Sequence, residues 1–467
     1  MAFNKRAKFL SVVLLLIALL FFVYTLGKVT GFWTQAFGTK ANLVIDTGTS
    51  FEMGGMPWNN LAQGGEEKTR MLGSVILHLS KLQPNYIRID HVFDFYDVVG
   101  KVENGKLTYD WSKLDITLND IHLVGAKPFI SLSYMPQVIS TGTEVDLPLR
   151  WEDWGDVVRE TVEHISGIKG LGREGVYYEV WNEPDLFGNF KTGGSKSYLD
   201  LYYYSVKGAT GAEDVYPFRI GGPATTSLSK DWTQDFLEFV SNNNLRLDFL
   251  SWHKYDYDVS KFENDVKSVR SWLENFETFK DIELVISEWG IDSENSEFYD
   301  NELSAIHTLA IVSAVFPSVD KMFSFEIKDG PGPQKYWGRW GILTNETFGV
   351  PEEKPRFKAL IFLNQMKGSR MTVLGLGTWV KSFAVYDGSS YKILVVNYDK
   401  NNKHSEQVPI TMVNFPAKEF IYRRINFLGG TTEKKLAADG ASLKLLEYFG
   451  PNSAAIIELV PLGFISK

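Results

Sequence analysis

The chain has 467 residues, more than one ordinary domain needs and a length suited to a large barrel with a smaller companion. Its composition, 44% hydrophobic and 22% charged, is that of a globular protein with a sizeable core, and the absence of Cys excludes disulfides and thiolate metal sites. A net charge of −9 argues against nucleic acid as the main partner.

The first feature along the chain is a basic flank, Lys5, Arg6 and Lys8, ahead of an uncharged and mostly apolar run over residues 9–26. That order directs export, with the basic end kept in the cytoplasm. The run is 18 residues long, at the lower limit for crossing a bilayer. No convincing small-x-small cleavage site follows over residues 24–38, so the segment reads as an uncleaved single-pass anchor. A cleaved signal and a secreted protein are the alternative. Residues 1–8 are then the cytoplasmic flank and 27–40 a tether, with everything beyond lying outside the cytoplasmic membrane.

From residue 41 short β-like runs alternate with helical stretches, the pattern of a parallel sheet with crossover helices. Eight strand candidates lie at 42–47, 86–90, 127–133, 176–182, 218–222, 248–253, 283–289 and 321–326. Amphipathic segments at 111–124, 151–168, 231–241, 262–279 and 303–315 separate them. Eight such units closing on themselves make an α/β fold of the TIM (β/α)8 type, expected over residues 41–365. After residue 366 the helices stop. Strand-like runs at 380–386, 391–398, 407–414, 419–427 and 453–460, parted by turns such as Asp387-Gly388 and Gly429-Gly430, predict a β-sandwich domain over 366–467.

In a TIM barrel the chemistry sits where strands end and βα loops begin. The second strand ends near Arg88, Asp90 and His91, the fourth at Trp181-Asn182-Glu183-Pro184, the sixth at His253-Lys254-Tyr255 and the seventh at Ser287-Glu288-Trp289. One buried charge at a strand end is commonly a structural ion pair. Two carboxylates, Glu183 and Glu288, each ending an apolar strand on opposite sides of a barrel mouth, fit a reaction that needs two. Cleaving a glycosidic bond takes one carboxyl that protonates the leaving oxygen and another that attacks the anomeric carbon. The 13 Trp and 14% aromatic content suit a protein that binds sugar rings, although core packing accounts for most of them.

These motifs resemble clan A glycoside hydrolases, and within that clan glycoside hydrolase family 39, which includes β-xylosidases, α-L-iduronidases and some bacterial exopolysaccharide hydrolases. Tyr86-Ile87-Arg88, Gly125-Ala126-Lys127-Pro128-Phe129 with Tyr134-Met135-Pro136, Trp340-Gly341-Ile342-Leu343 and Lys354-Pro355-Arg356-Phe357 agree with that family, over roughly residues 41–365. The resemblance implies a retaining O-glycosyl hydrolase, β-xyloside- or exopolysaccharide-directed, with Glu183 as acid/base and Glu288 as nucleophile. It further implies that Asn182 binds a sugar hydroxyl, that His253 and Tyr255 position the nucleophile, that Arg88 pairs with Glu288, and that His91 and Trp340 contact substrate. No cofactor or metal is implied, and the expected partner is an oligo- or polysaccharide.

Two departures touch the sugar subsite. The eighth strand reads Met322-Phe323-Ser324-Phe325-Glu326 where the clan places a Trp platform, leaving Phe323, Trp337 or Trp340 as replacements. The Arg-to-His spacing near the second strand is one residue longer, so either Asp90 or His91 occupies the expected position. Two rival readings are a metal-dependent hydrolase, which needs clustered His at strand ends, and an inactive or structural carbohydrate-binding protein on the same barrel. The seven His are scattered and both carboxylates are present, which weighs against each.

Overall fold

The computed structural model describes residues 38–53, 55–64, 70–100, 106–336 and 340–462. It divides into two units, one from Phe51 to Ser369 and one combining the chain up to Ser50 with the chain from Arg370 onward. The run at 9–26 lies outside the described residues, and among the described residues no helix is long and apolar enough to cross a membrane.

The first strand, β1 (Leu43–Phe51), belongs to the second unit, where it pairs in parallel with a strand far along the chain. The larger unit is a closed barrel of β2 (Asn60–Gln63), β3 (Tyr86–Ile89), β4 (Lys127–Leu132), β5 (Tyr177–Val180), β6 (Arg219–Thr225), β7 (Phe249–Tyr255), β8 (Glu283–Gly290) and β9 (Lys321–Phe325). β9 pairs back to β2 in parallel and closes the ring. The expectation that residues 42–47 form the first barrel strand is therefore corrected, and with it the boundary at 41. The reason is periodicity. β1 alternates buried and partly buried residues, as a strand with one covered face does, whereas all four residues of β2 are buried. Asn60 and Gln63 disguise β2 as a polar loop.

A helix follows each barrel strand: α1 (Ile76–Leu82), α2 (Ser112–Leu123), α3 (Trp151–Ser166), α4 (Tyr198–Thr210), α5 (Lys230–Asn242), α6 (Val259–Leu273), α7 (Glu302–Val315) and α8 (Pro355–Leu363). In α3 the buried set Trp154, Val157, Val158, Thr161, Val162 and Ile165 recurs at helical spacing, with Glu152 and Asp153 at the positive end of the helix dipole. Ser197 and Asp258 cap α4 and α6 with their side-chain oxygens, and Pro355 opens α8, where its missing N–H has no cost. One layer of the barrel interior is Ala62, Phe129, Tyr177, Phe249, Val285 and Phe323, with the Phe129 and Phe323 rings 4.6 Å apart. This layer makes the barrel a packed core rather than a pore.

The second unit is one nine-stranded sheet of β1 with β10 (Ser369–Leu374), β11 (Val380–Tyr386), β12 (Tyr391–Asn397), β13 (Glu406–Val413), β14 (Glu419–Asn426), β15 (Thr431–Ala437), β16 (Leu443–Phe449) and β17 (Ser453–Pro461). Its order is β15-β14-β17-β12-β11-β10-β1-β13-β16. The sheet curls over a single core: Tyr422 on β14 donates to Glu447 on β16 at 2.7 Å, although the two strands lie near opposite ends of the hydrogen-bonded order.

Candidate active site

The ends of the barrel strands surround a cavity of about 740 Å³ lined by Asp90, His91, Asn182, Glu183, Tyr255, Glu288 and Trp340, among others. Glu183 arrives there through a backbone turn. Trp181 and Glu183 have φ of +70° and +46°, a left-handed conformation that costs energy in non-glycine residues. Neighbouring strands hold the turn: Ser131 Oγ donates to the Trp181 carbonyl at 2.9 Å, and the Glu183 N–H donates to the Ala224 carbonyl at 3.0 Å. Glu288 arrives through a register shift. Trp252 pairs with Ile286 but His253 pairs with Glu288, so the extra residue, Ser287, turns the Glu288 carboxylate to face His253.

Arg88 organises the floor. Its Nε donates to Glu179 Oε2 at 2.8 Å, its Nη1 to Glu288 Oε1 at 2.7 Å and its Nη2 to Asn182 Oδ1 at 2.7 Å. Burial disfavours the charge on Arg88, but Glu179, Glu288 and Asp90 outweigh that and hold it firmly protonated. Glu288 is pushed up by burial and by the charges of Glu183 and Asp90, and pulled down by His253 and Arg88. Its second oxygen accepts from the Tyr255 hydroxyl at 2.8 Å. Burial, then the Glu288 charge, raises the Tyr255 phenol well above its ordinary value, so it stays a donor.

His253 is fully buried between the two carboxylates, its Nδ1 lying 2.9 Å from Glu183 Oε1 and 3.5 Å from Glu288 Oε2. The shorter contact is to Glu183, whereas the expected contact was to Glu288. Burial lowers the His253 pKa, but Glu288 and Glu183 more than offset this and raise it above its ordinary value. One ligand-type atom from each of Glu183, His253 and Glu288 falls within 4.8 Å of the others. Such a trio has the composition of a metal site. Here, however, Arg88 and Tyr255 already occupy both oxygens of Glu288, and a guanidinium at 2.7 Å repels a divalent cation.

Asn182 engages both ends of its amide, accepting from Arg88 and donating to the Tyr134 hydroxyl at 2.9 Å, while still lining the cavity. His91 points Nδ1 at Asp94 Oδ2, 2.7 Å away, and packs edge-on against Tyr134. Both Asp90 and His91 line the cavity, so the longer spacing brings two groups to the place where one was expected. Of the candidates for the sugar platform, Phe323 is fully buried in the barrel interior and is ruled out. Trp340 lines the cavity, together with Phe325, and Trp337 lies outside the described residues.

Several site residues were not singled out by sequence reasoning. Glu179 is hidden in an apolar strand, although a carboxylate there demands a buried cation. Glu326 lines the cavity with its Oε2 held by Gln63 Nε2 at 2.9 Å. Arg356, within a motif already noted, bonds the Phe325 and Trp340 carbonyls at 2.9 and 2.8 Å and so fixes that wall.

A beta-xylosidase from Caldicellulosiruptor saccharolyticus is 25% identical over 309 residues, covering 60% of this chain and 61% of that protein. A second, from Geobacillus stearothermophilus, is 26% identical over 292 residues, covering 55% and 56%. The chain thus spans about three fifths of the length of the curated relatives it matches. The crystal structure of a monomeric beta-xylosidase from Caulobacter crescentus CB15 shares the fold, with a TM-score of 0.72 at 20% identity over 91% of this chain and 100% of that one. The model of the glycosyl hydrolases family 39 matches residues 24–375, well over half of the sequence, and the chain belongs to that family.

Proposed function

We propose that this protein is a retaining glycoside hydrolase that cleaves O-glycosidic bonds by double displacement, with β-xylosides as the first substrate class to test. The observation that carries this reading is that one carboxylate oxygen of Glu183 and one of Glu288 lie within 4.8 Å of each other in one cavity. An oxygen pair this close suits a retaining pair, whose carboxyl groups stand about 5–5.5 Å apart, better than an inverting pair at roughly 6.5–9.5 Å. The names of two relatives support the choice of β-xylosides.

In the first step Glu288 attacks the anomeric carbon, the bond to the leaving oxygen breaks, and Glu183 supplies that oxygen's proton. In the second step Glu183 takes a proton from water, the water oxygen attacks the same carbon, and the ester to Glu288 breaks. Arg88 and Tyr255 each hold one Glu288 oxygen and aim the carboxylate. His253 does the same for Glu183.

Turnover of 4-nitrophenyl β-D-xyloside, followed by NMR of the first-formed sugar, tests the reading. Product of retained configuration and a covalent adduct on Glu288 with a 2-fluoro xyloside are expected. Inverted product overturns the mechanism, and inactivity across a panel of glycosides leaves a carbohydrate-binding role instead.

We further propose that residues 9–26 anchor the protein in the cytoplasmic membrane with the barrel outside, where polymeric glycan is met. The basic flank and the 18-residue apolar run support this. Full-length chain in the membrane fraction is expected. A soluble protein whose N-terminus begins beyond Leu26 would show a cleaved signal.

A further inference from the structure

We infer that the loop directly after Glu183 forms the leaving-group subsite, built for a ring with an apolar face rather than for a small alkyl group. This rests on the double-displacement reading above, and it concerns the half of the cavity that the two carboxylates do not themselves define.

The placement comes from the chemistry. Glu183 must reach the glycosidic oxygen, so the departing group lies on the Glu183 side of the scissile bond and the retained sugar lies over Glu288. On the C-terminal side of Glu183 the next residues that line the cavity are Leu186 and Phe187, and Thr226 and Ser227 face the same space. Leu186 is 58% exposed and Phe187 40%, large apolar side chains left open to solvent at the mouth of a cavity.

The loop is a constructed wall and not a frayed end. The N–H groups of Leu186 and Phe187 both donate to the Glu183 carbonyl, at 2.9 and 2.7 Å. Trp181 Nε1 donates to the Phe187 carbonyl at 2.9 Å, and Asp185 is fixed by the Thr226 N–H at 3.0 Å and the Thr226 hydroxyl at 2.5 Å. Gly188, at φ +106°, lets the chain pass where a Cβ would lie 2.7 Å from the Val145 carbonyl. The Phe187 ring rests 5.6 Å from that of Tyr134. The bonds that fix Glu183 therefore also fix Leu186 and Phe187 relative to it.

The apolar side chains of Leu186 and Phe187 share the cavity lining with Thr226, whose hydroxyl donates to Asp185 and keeps its acceptor side, and with Ser227. This mixed lining matches a sugar ring, whose C–H face stacks on aromatics while its edges form hydrogen bonds. An aryl ring satisfies the apolar wall alone. A methyl group reaches neither.

The test compares kcat/KM for 4-nitrophenyl β-D-xyloside, xylobiose and methyl β-D-xyloside, in the wild-type chain and in Phe187→Ala, Leu186→Ser and Phe187→Tyr. A second measurement is the partitioning of the glycosyl-enzyme between xylose and methanol as acceptors, which does not depend on leaving-group acidity. The ratio of xylobiose to methyl xyloside efficiency should fall roughly tenfold in Phe187→Ala, the loss expected for one stacked and buried ring. Preference for xylose over methanol as acceptor should fall in parallel, and Phe187→Tyr should restore both. If wild type turns over these glycosides but the two ratios are the same in Phe187→Ala and Leu186→Ser, the subsite assignment is overturned while the catalytic reading stands. If wild type turns over no glycoside, the catalytic reading fails and takes this inference with it.

Discussion

Arg88 Nη1 donates to Glu288 Oε1 at 2.7 Å while the same guanidinium reaches Glu179 Oε2 at 2.8 Å, so one buried cation serves two buried carboxylates. Arg88→Ala strands both acids and should cost about 3–5 kcal/mol of stability. Arg88→Lys keeps a charge but cannot form the fork, and the resulting displacement of Glu288 should lower kcat/KM roughly a hundredfold. Because Arg88 pulls the Glu288 pKa down, weakening the pair should move the acid limb of the kcat/KM profile to higher pH. An acid limb at the wild-type position in Arg88→Lys would mean that Arg88 supports the fold and not the ionisation of Glu288.

His253 gives the site a pH-dependent stability. Burial disfavours its charged form, but Glu288 and Glu183 more than compensate, and its pKa rises above the ordinary 6.5. The folded protein therefore binds this proton more tightly than the unfolded chain. The contribution is full below about pH 6.5 and is lost as pH climbs through the folded value. Melting temperatures of wild type and His253→Asn from pH 6 to pH 9 should converge toward the alkaline end. A gap that stays constant, or widens with pH, would show that His253 is held neutral.

His307 acts in the opposite direction. It is fully buried on α7 with Nε2 bonded to the Asp256 carbonyl at 2.8 Å, and burial pushes its pKa down to about 3. The unfolded chain takes up a proton below about pH 6.5 that the folded chain refuses, so stability falls as pH drops from there toward 3, by at most about 1.4 kcal/mol per pH unit. His307→Gln should flatten that slope in urea unfolding measured between pH 4 and pH 7. An equally steep slope in the variant would place the acid sensitivity elsewhere.

The strand ends made much of this site legible from sequence. Charged residues at the ends of apolar runs are costly enough to announce themselves, and Arg88, Glu183, Glu288, His253 and Tyr255 do meet at one cavity or directly beneath it. What stayed hidden has physical causes. Glu179 points into the barrel from inside a strand, where periodicity records only that the strand is covered. The pairing of His253 with Glu288 depends on a register shift between β7 and β8 that no residue pattern marks. β1 is a strand by any local measure, but which sheet it joins is settled by its partner β13, more than 350 residues away. Leu186 and Phe187 read as ordinary loop residues because exposure is a property of the folded surface.

The two carboxylates should fail in different ways when removed. Glu288→Ala takes away the proposed nucleophile, so all substrates should lose turnover irrespective of leaving group. The space it leaves, beside Arg88, admits a small anion, and added azide or formate should restore turnover with product of inverted configuration, since the anion attacks directly and only one displacement occurs. Glu183→Ala removes the proposed proton donor. Natural glycosides, whose leaving alkoxide needs a proton, should slow by roughly 10²–10⁴-fold. A 4-nitrophenyl leaving group needs no proton, so with that substrate the first step should survive and the glycosyl-enzyme should accumulate, because the base for the second step is also gone. That gives a burst in stopped-flow traces, and azide should speed the second step with retained configuration. The pair of rescue products distinguishes the roles: inverted azide product from the Glu288 variant and retained from the Glu183 variant is the expected result. The reverse pattern would exchange the two assignments, and equal losses on activated and natural substrates in Glu183→Ala would remove Glu183 from the acid role.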